Sequence, residues 1–354
     1  MHDARTTLAD LASFDEIIDV RSPAEYAEDH IPGAINCPVL DDAQRAQVGT
    51  IYKQISPFEA KKVGAALVSE NIARHLRERF LERPKDWKPL IYCWRGGDRS
   101  GSMTTIFRAI GWRARQLEGG YKAWRSHVIA TLAARPRQLA FRVICGPTGS
   151  AKTRILQAIA ARDGQVLDLE TLAAHKGSVL GVLPDQPQPG QKAFETALLQ
   201  ALEALDPARP VFVEAESRKI GRLHLPDALI EAIRGAPCVV IDAGLAARVN
   251  FLLRDYDYFL KRPEWLAERL AILKGLQSSE TLARWQGMIA ARTWPELVGE
   301  LLEAHYDPLY RRSQDHNFAG IARPAVFATD DLTTAGIEAL AARILDQSRT
   351  AQIA

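Results

Sequence analysis

Cys93 is the residue of this chain best placed for covalent chemistry. It lies between the apolar run Leu90-Ile91-Tyr92, which reads as a buried strand, and the loop Trp94-Arg95-Gly96-Gly97-Asp98-Arg99-Ser100, which opens a helix over Gly101 to Ile110. A cysteine attacks as its thiolate. The backbone N–H groups of Trp94, Gly96, Gly97 and Asp98, the helix N-terminus and the guanidinium groups of Arg95 and Arg99 favour a thiolate, or any anion carried on its sulfur, over a neutral thiol. A buried structural cysteine is the plain alternative, and the Arg/Gly loop directly after Cys93 weighs against it.

A second chemical stretch follows the strand-like run Gln138 to Cys145. It reads Gly146-Pro147-Thr148-Gly149-Ser150-Ala151-Lys152-Thr153-Arg154. This is a phosphate-binding P-loop in its proper context, strand before and helix after. Gly146, Thr148, Gly149, Ser150 and Ala151 supply backbone N–H groups, Lys152 and Arg154 meet phosphate oxygens, and Thr153 can ligate Mg²⁺. Ala151 stands where a P-loop usually has glycine, so less backbone freedom is expected there. Glu214 and Glu216, in Val211-Phe212-Val213-Glu214-Ala215-Glu216-Ser217, occupy the place of a second acidic motif and can hold Mg²⁺ through water. Asp168 and Glu170, at another strand end, are the other metal candidates, although an acid there can equally cap the next helix.

The elements that must position these groups are legible at βα spacing. Glu16 to Val20, Ala34 to Val39, Leu90 to Tyr92 and Ala114 to Leu117 read as strands of a small α/β unit, with the helical, polar stretch Asp41 to Arg83 between the second and third. Beyond the P-loop, Gln165 to Leu169, Pro210 to Glu214, Cys238 to Asp242 and Ala325 to Thr329 join Phe141 to Cys145 as five parallel strands wrapped by helices. Between Gly244 and about Phe318 the pattern is purely helical. Trp285, Tyr306 and Tyr310 in that block read as core rather than base-stacking residues. The expected division is an α/β domain over residues 1–133 and a parallel-sheet domain over 134–354, with a helical insertion at about 244–322.

Composition fits two soluble domains. Hydrophobic residues make up 47% and charged residues 25% of the 354, enough for two cores. No apolar run approaches a membrane span, and Met1-His2-Asp3-Ala4-Arg5 lacks the apolar stretch of a signal peptide, so a cytoplasmic protein is expected. Cys37, Cys93, Cys145 and Cys238 form no CxxC pair, which argues against a disulfide framework or a zinc site. The net charge of +2 does not by itself announce a nucleic-acid partner. Its distribution says more: Arg108, Arg113, Arg115, Lys122, Arg125, Arg135, Arg137 and Arg142 are eight basic residues set against Glu118 alone. Such a run is either a solvated face or a phosphate-backbone footprint. Lys261-Arg262, Arg311-Arg312 and His316 offer a second basic face.

Four strings in order carry a first resemblance: Asp19-Val20-Arg21-Ser22-Pro23-Ala24-Glu25-Tyr26, His30-Ile31-Pro32-Gly33-Ala34-Ile35-Asn36, the Cys93 loop, and Leu117-Glu118-Gly119-Gly120-Tyr121. Together they resemble a rhodanese domain. The resemblance implies that Cys93 carries sulfur or selenium as a persulfide-type anion. The Cys-x5-Arg spacing from Cys93 to Arg99 also fits a cysteine phosphatase, but those enzymes usually place histidine before the nucleophile, where this chain has Tyr92. The chalcogen carrier is the preferred reading.

The rhodanese-like half joined to a P-loop half, together with Gly33-Ala34-Ile35-Asn36-Cys37-Pro38-Val39-Leu40 and Val48-Gly49-Thr50-Ile51-Tyr52-Lys53-Gln54, resembles the bacterial tRNA 2-selenouridine synthase family over essentially the whole chain. That resemblance implies a transferase acting on wobble 2-thiouridine of tRNA. It implies replacement of sulfur by selenium from selenophosphate, by way of a geranylated intermediate made with geranyl diphosphate, and selenophosphate synthase as a possible partner. Two other classes stay open: a P-loop kinase with a regulatory rhodanese domain, and a carrier module that delivers sulfur or selenium to another enzyme.

Overall fold

The structure is a computed structural model and describes residues 4–178 and 180–353, with backbone alone at 311, 313–316 and 350–353. Met1, His2 and Asp3 lie outside the described residues, as do the side chains of Arg311 and His316. The chain divides into two compact units, Met1–Thr131 and Leu132–Ala354, two residues ahead of the division expected from the sequence.

In the first unit a five-stranded parallel sheet runs β1-β5-β4-β2-β3, from β1 (Arg5–Thr6), β2 (Glu16–Asp19), β3 (Ala34–Asn36), β4 (Pro89–Tyr92) and β5 (Arg115–Leu117). β4 is buried at all four positions because strands lie on both sides of it and helices on both faces, which is why it reads as one apolar run. The two-residue β1 has too little sequence to announce itself. Helix α1 (Pro23–Glu28) starts in a capping box, with Ser22 and Glu25 satisfying each other's backbone N–H groups and Pro23 at the first helical position. The stretch between β3 and β4 is two helices, α2 (Asp42–Gln54) and α3 (Pro57–His75), the latter ending in a wider turn at Leu76–Phe80. α4 (Asp98–Ile110) follows the Cys93 loop and stops at Gly111, whose φ of 110° favours glycine. α5 (Gly120–Ala134) carries the chain across the division. The core centres on Ile18, Val20, Ile91, Met103 and the rings of Phe80, Trp87, Phe107 and Trp112, which meet at centroid distances of 5.0–5.7 Å.

The second unit has a parallel sheet in the order β12-β11-β6-β8-β7. Its strands are β6 (Ala140–Cys145), β7 (Gln165–Leu167), β8 (Pro210–Glu214), β11 (Pro237–Ala243) and β12 (Gly320–Thr329), with a small hairpin of β9 (Lys219–Ile220) and β10 (Leu223–His224) apart from it. β12 runs five residues further toward its N-terminus than its apolar pattern suggests. Pro324 is tolerated inside it because β12 is an edge strand paired to β11 alone. The helices of the unit are α6 (Lys152–Ala160), α7 (Leu169–Ala173), α8 (Gln191–Glu203) and α9 (Asp227–Arg234), then the insertion α10 (Leu245–Asp255), α11 (Asp257–Lys261), α12 (Pro263–Ala271), α13 (Ser279–Ala291), α14 (Trp294–Leu301) and α15 (Asp307–Asn317), and last α16 (Thr334–Ile353). Ile155, Leu156 and Ile159 of α6 and Leu340, Ala341 and Ile344 of α16 belong to the sheet core with Ile144, Phe212 and Ile241. The insertion has its own core, Phe259, Leu266, Leu270, Trp285, Leu297 and Leu301, so it is a built subdomain rather than a long loop. Trp285 is fully buried there, as its spacing suggests, whereas Tyr306 and Tyr310 line a cleft described below. No helix among the described residues is long and apolar enough to cross a membrane.

Candidate functional site

Each unit carries one site at the carboxyl ends of its strands, where open parallel sheets place ligands. In the first unit Cys93 ends β4 with its side chain covered (3% exposed). Two donors reach its Sγ: the N–H of Gly97 at 3.3 Å and the hydroxyl of Ser100 at 3.1 Å. Gln116 on β5 donates Nε2–H to Ser100 Oγ at 2.8 Å and to the Gly97 carbonyl at 2.9 Å, which leaves the Ser100 hydroxyl hydrogen to point toward the sulfur or that carbonyl. Donors converging on one sulfur stabilise negative charge there. The loop is clamped from outside by the first turn of α5. Tyr121 N–H donates to the Cys93 carbonyl (2.8 Å) and Lys122 N–H to that of Trp94 (2.9 Å). A Cβ on Gly120, which has φ of +54°, would sit 2.2 Å from the Cys93 oxygen, so the close approach requires glycine.

The two arginines expected at the sulfur are placed differently. Arg99 pairs with Glu25 of α1 at 2.8 Å, so its guanidinium is committed to a carboxylate, and Arg95 is exposed. Asp98 sits in the first turn of α4, and Trp94 packs on Tyr121 with ring centroids 5.3 Å apart. The arginine that organises the unit is Arg21, fully buried. Its Nε and Nη2 grip Asp19 at 2.6–3.0 Å, Nη2 also reaches the Asp29 carbonyl at 2.7 Å, and its guanidinium lies 3.8 Å from the centre of the Tyr121 ring. Tyr121 in turn donates its hydroxyl to Asp29 Oδ2 at 2.7 Å. The strings around Asp19, His30 and Gly119 are thus one buried network holding the turn that holds the cysteine. Ser100, Gln116 and Arg21 are the site's supports that residue type alone does not mark.

In the second unit the P-loop joins β6 to α6. Gly146 (φ 151°) and Gly149 (φ 84°) fit because a Cβ would strike Ser150 Oγ at 2.5 Å in the first case and Leu252 of α10 at 2.9 Å in the second. Ala151 takes φ of +59°, the left-handed conformation that glycine would adopt more readily. Lys152 Nζ folds back on the carbonyls of Gly146 (2.9 Å) and Pro147 (3.3 Å), Ser150 Oγ donates to Pro147 O (2.8 Å), and Gly146 N–H donates to the Tyr310 hydroxyl. Arg248 of α10, buried and paired with both oxygens of Asp307 at 2.8 and 2.9 Å, donates to the Thr148 carbonyl at 3.2 Å. Arg154 turns to Asp255 (2.6 Å), which also holds Lys176 (2.6 Å).

Facing the loop is an acidic cluster. Carboxylate oxygens of Glu170, Glu214 and Glu216 lie within 4.8 Å of one another, and Thr153 donates its hydroxyl to Glu170 at 2.8 Å. Glu214 is 1% exposed and neither of its oxygens has a hydrogen-bond partner. Burial first, and the neighbouring Glu170 and Glu216 next, push its carboxyl well above the usual range. Burial and Glu170 raise Glu216 to about 7, and burial raises Glu170. Asp168 stands apart from this cluster. Its carboxylate caps α7 through Thr171 N–H (2.8 Å) and Oγ1 (2.7 Å), the other use open to an acid at a strand end.

The P-loop, Glu170 and Glu216 share a cleft of about 600 Å³ that also takes in Lys176, His305, Tyr306 and Tyr310. A second, apolar pocket opens beside it within the insertion, lined chiefly by Leu180, Leu253, Phe259, Leu266, Leu297 and Leu301. Thr148, Ser178, Leu252, Tyr256 and Tyr306 border both spaces.

The rhodanese-like domain family matches residues 4–127, and the family of the tRNA 2-selenouridine synthase AAA domain matches residues 139–277. A tRNA 2-selenouridine synthase from Alcanivorax borkumensis is 38% identical over 83% of this chain and 88% of its own length. The chain belongs to the tRNA 2-selenouridine synthase family. A member from Nitrosomonas europaea is 38% identical over 72% of this chain and 66% of its own, and one from Bdellovibrio bacteriovorus 35% identical over 83% and 87%. Family membership thus spans both sites, the Cys93 loop within the rhodanese-like match and the P-loop within the other.

Proposed function

We propose that the chain is a tRNA-modifying transferase that converts wobble 2-thiouridine to 2-selenouridine in the cytoplasm, using selenophosphate and passing through S-geranylation by geranyl diphosphate. The relatives named tRNA 2-selenouridine synthase support the selenium and tRNA parts of this reading. The observation that carries the geranyl part is the apolar pocket beside the P-loop cleft: a diphosphate head and a hydrocarbon tail need adjoining spaces of these two characters. The pocket's free volume of about 70 Å³ is smaller than a ten-carbon chain, so seating one requires the flanking side chains of the insertion to part. A nucleotide makes no comparable use of an aliphatic slot.

In this reading the thiocarbonyl sulfur attacks the first carbon of the geranyl group and diphosphate leaves, held by Lys152 and the P-loop N–H groups. Glu170, Glu214 and Glu216 fit a divalent cation, since three carboxylates, one of them buried without a hydrogen-bond partner, form a donor set that the nearby Lys152 and Lys176 offset only in part. Mg²⁺ bound there would supply neutralisation of the departing diphosphate. Selenide then adds at the base carbon that bears the alkylated sulfur, the carbon–sulfur bond breaks, and geranyl thiol departs with a proton. Cys93 would release the selenium of selenophosphate, supplied by a selenophosphate synthase: its thiolate takes the phosphoryl group as the P–Se bond breaks, selenide leaves at the oxidation level of the product, and water then frees phosphate from the sulfur, with Gly97 N–H and the Ser100 hydroxyl holding the anionic sulfur.

Nucleoside mass spectrometry on 2-thiouridine tRNA treated with each variant tests the assignment. Cys93→Ser is expected to geranylate but not selenate, and Lys152→Ala to lose geranylation at least tenfold, the scale of one lost charged contact to the leaving group. Geranylation lost with Cys93→Ser and kept with Lys152→Ala would reverse the two roles. Tail-independent phosphoryl transfer from a nucleotide would instead favour a kinase.

A further inference from the structure

The first unit has a second concave surface that the chemistry above does not use. It is a groove of about 800 Å³ lined by Lys88, Arg108, Arg113 and Arg115, with Phe14 and Trp112 among its walls and Asp10 as the acid of the lining. Its place in the fold is informative. Lys88 immediately precedes β4, and Arg113 and Arg115 lie before and at the start of β5, so the cations gather at the amino ends of the strands. Cys93 lies past the carboxyl end of β4, five residues beyond Lys88 and so about 17 Å from it along the strand. The groove therefore serves something other than the sulfur site.

Its charge is met only in part within the chain: Arg115 attracts Asp10, and Arg108 donates to the Ala114 carbonyl at 3.2 Å. Elsewhere in the unit Arg21, Arg83 and Arg99 each meet a carboxylate, from Asp19, Glu16 and Glu25. Among the described residues no ion pair ties Lys88 or Arg113 to an acid, and Asp10, which Arg115 attracts, also accepts from the Thr6 hydroxyl at 2.7 Å. A cluster of like charges, contributed by three separate elements and kept open to solvent, repels itself unless an anion covers it. Guanidinium forks beside aromatic walls suit phosphodiesters and the sugars and bases attached to them.

We infer that this groove is a docking surface for the RNA phosphate backbone, gripping the tRNA at a distance from the nucleotide being modified. The inference rests on the tRNA reading above. A long substrate can span both poles of the unit, and contacts that read only backbone let one surface serve every tRNA the enzyme accepts.

The full-length chain and its Lys88→Ala/Arg113→Ala double variant, titrated with unmodified tRNA at several salt concentrations, provide the test. The variant should bind about fivefold or more weakly at moderate salt, and its plot of log affinity against log salt should flatten by roughly 0.7–0.9 for each cation removed. Arg113 is exposed and Lys88 half-buried, so an unchanged circular dichroism spectrum and melting temperature are expected to accompany the loss. Wild-type binding with an unchanged variant affinity and slope would overturn the groove and leave the tRNA reading standing. A wild-type chain that shows no salt-sensitive tRNA binding would sink both. Displacement of the tRNA by poly-glutamate as readily as by a second RNA would assign the groove to an acidic protein instead.

Discussion

At the residue scale the most exposed consequence concerns Glu216 and its neighbours. A carboxyl raised from 4.5 to about 7 binds its proton more tightly in the folded chain than in the unfolded one. The stability this contributes is complete below about pH 4.5 and is lost as pH rises through 7, the reverse of an ordinary salt-bridged acid. The directions for Glu214 and Glu170 are the same, so their losses add. Thermal unfolding in the presence of a chelator should therefore show a midpoint that falls between pH 5 and 7.5, by an amount equivalent to roughly 1–3 kcal/mol for Glu216. Glu216→Gln should flatten that decline. Added Mg²⁺ should raise the midpoint more at pH 7.5 than at pH 5, because a hard cation takes the deprotonated cluster. A midpoint that rises over this range, or a Mg²⁺ effect insensitive to pH, would remove the cluster as a cation site.

At the element scale the P-loop turns on one alanine. A left-handed alanine costs about 1–2 kcal/mol relative to glycine, while glycine loses about 0.4–1 kcal/mol more conformational entropy on folding. Ala151 also packs its methyl into the sheet core beside Ile155 and Leu252. These terms nearly cancel, so Ala151→Gly should shift the unfolding midpoint by less than about 1 kcal/mol and leave diphosphate binding intact. Ala151→Val, β-branched at positive φ, should destabilise by about 2 kcal/mol or more and release the loop from its phosphate-holding shape. Denaturant titration and calorimetry with geranyl diphosphate separate the two. The same contrast shows what could be read in advance. The Cys93 loop, the P-loop and nearly every strand were legible because each is a short contiguous signal, with apolar runs bounded by glycine. Glu170 and Glu216 become partners of Thr153 and Glu214 only once β7 lies beside β8, an order that spacing does not reveal. The same holds for Ser100, which meets the sulfur from α4, and for Gln116, which holds Ser100 from β5. The apolar pocket was hidden for a different reason: Phe259, Leu266 and Leu297 are at helical spacing and read as core, which most of their surface is. Arg99 misled because its charge suits an anion in isolation, and only the fold brings Glu25 to it.

At the scale of the whole molecule the division into two units raises the question of whether the two proposed chemistries must occur within one chain. Cys93 and its donors belong wholly to Met1–Thr131, while the P-loop, the acids and the apolar pocket belong wholly to Leu132–Ala354. No residue described for one site is shared with the other. If geranylated tRNA is released between steps, a chain deficient in selenium handling and a chain deficient in alkylation should complement each other. Cys93→Ser alone should stop at geranylated tRNA, and Lys152→Ala alone at 2-thiouridine. The two mixed at equal concentration should yield 2-selenouridine, with a lag that shortens as total protein rises, since the intermediate must travel between molecules. Trapping with excess unmodified tRNA distinguishes this from transfer within a mixed oligomer: competitor dilutes a released intermediate and slows product, but leaves a handed-over one unaffected. A mixture that forms no 2-selenouridine, when each variant performs its own half-reaction on the appropriate tRNA, would mean that both steps occur within a single binding event on one chain.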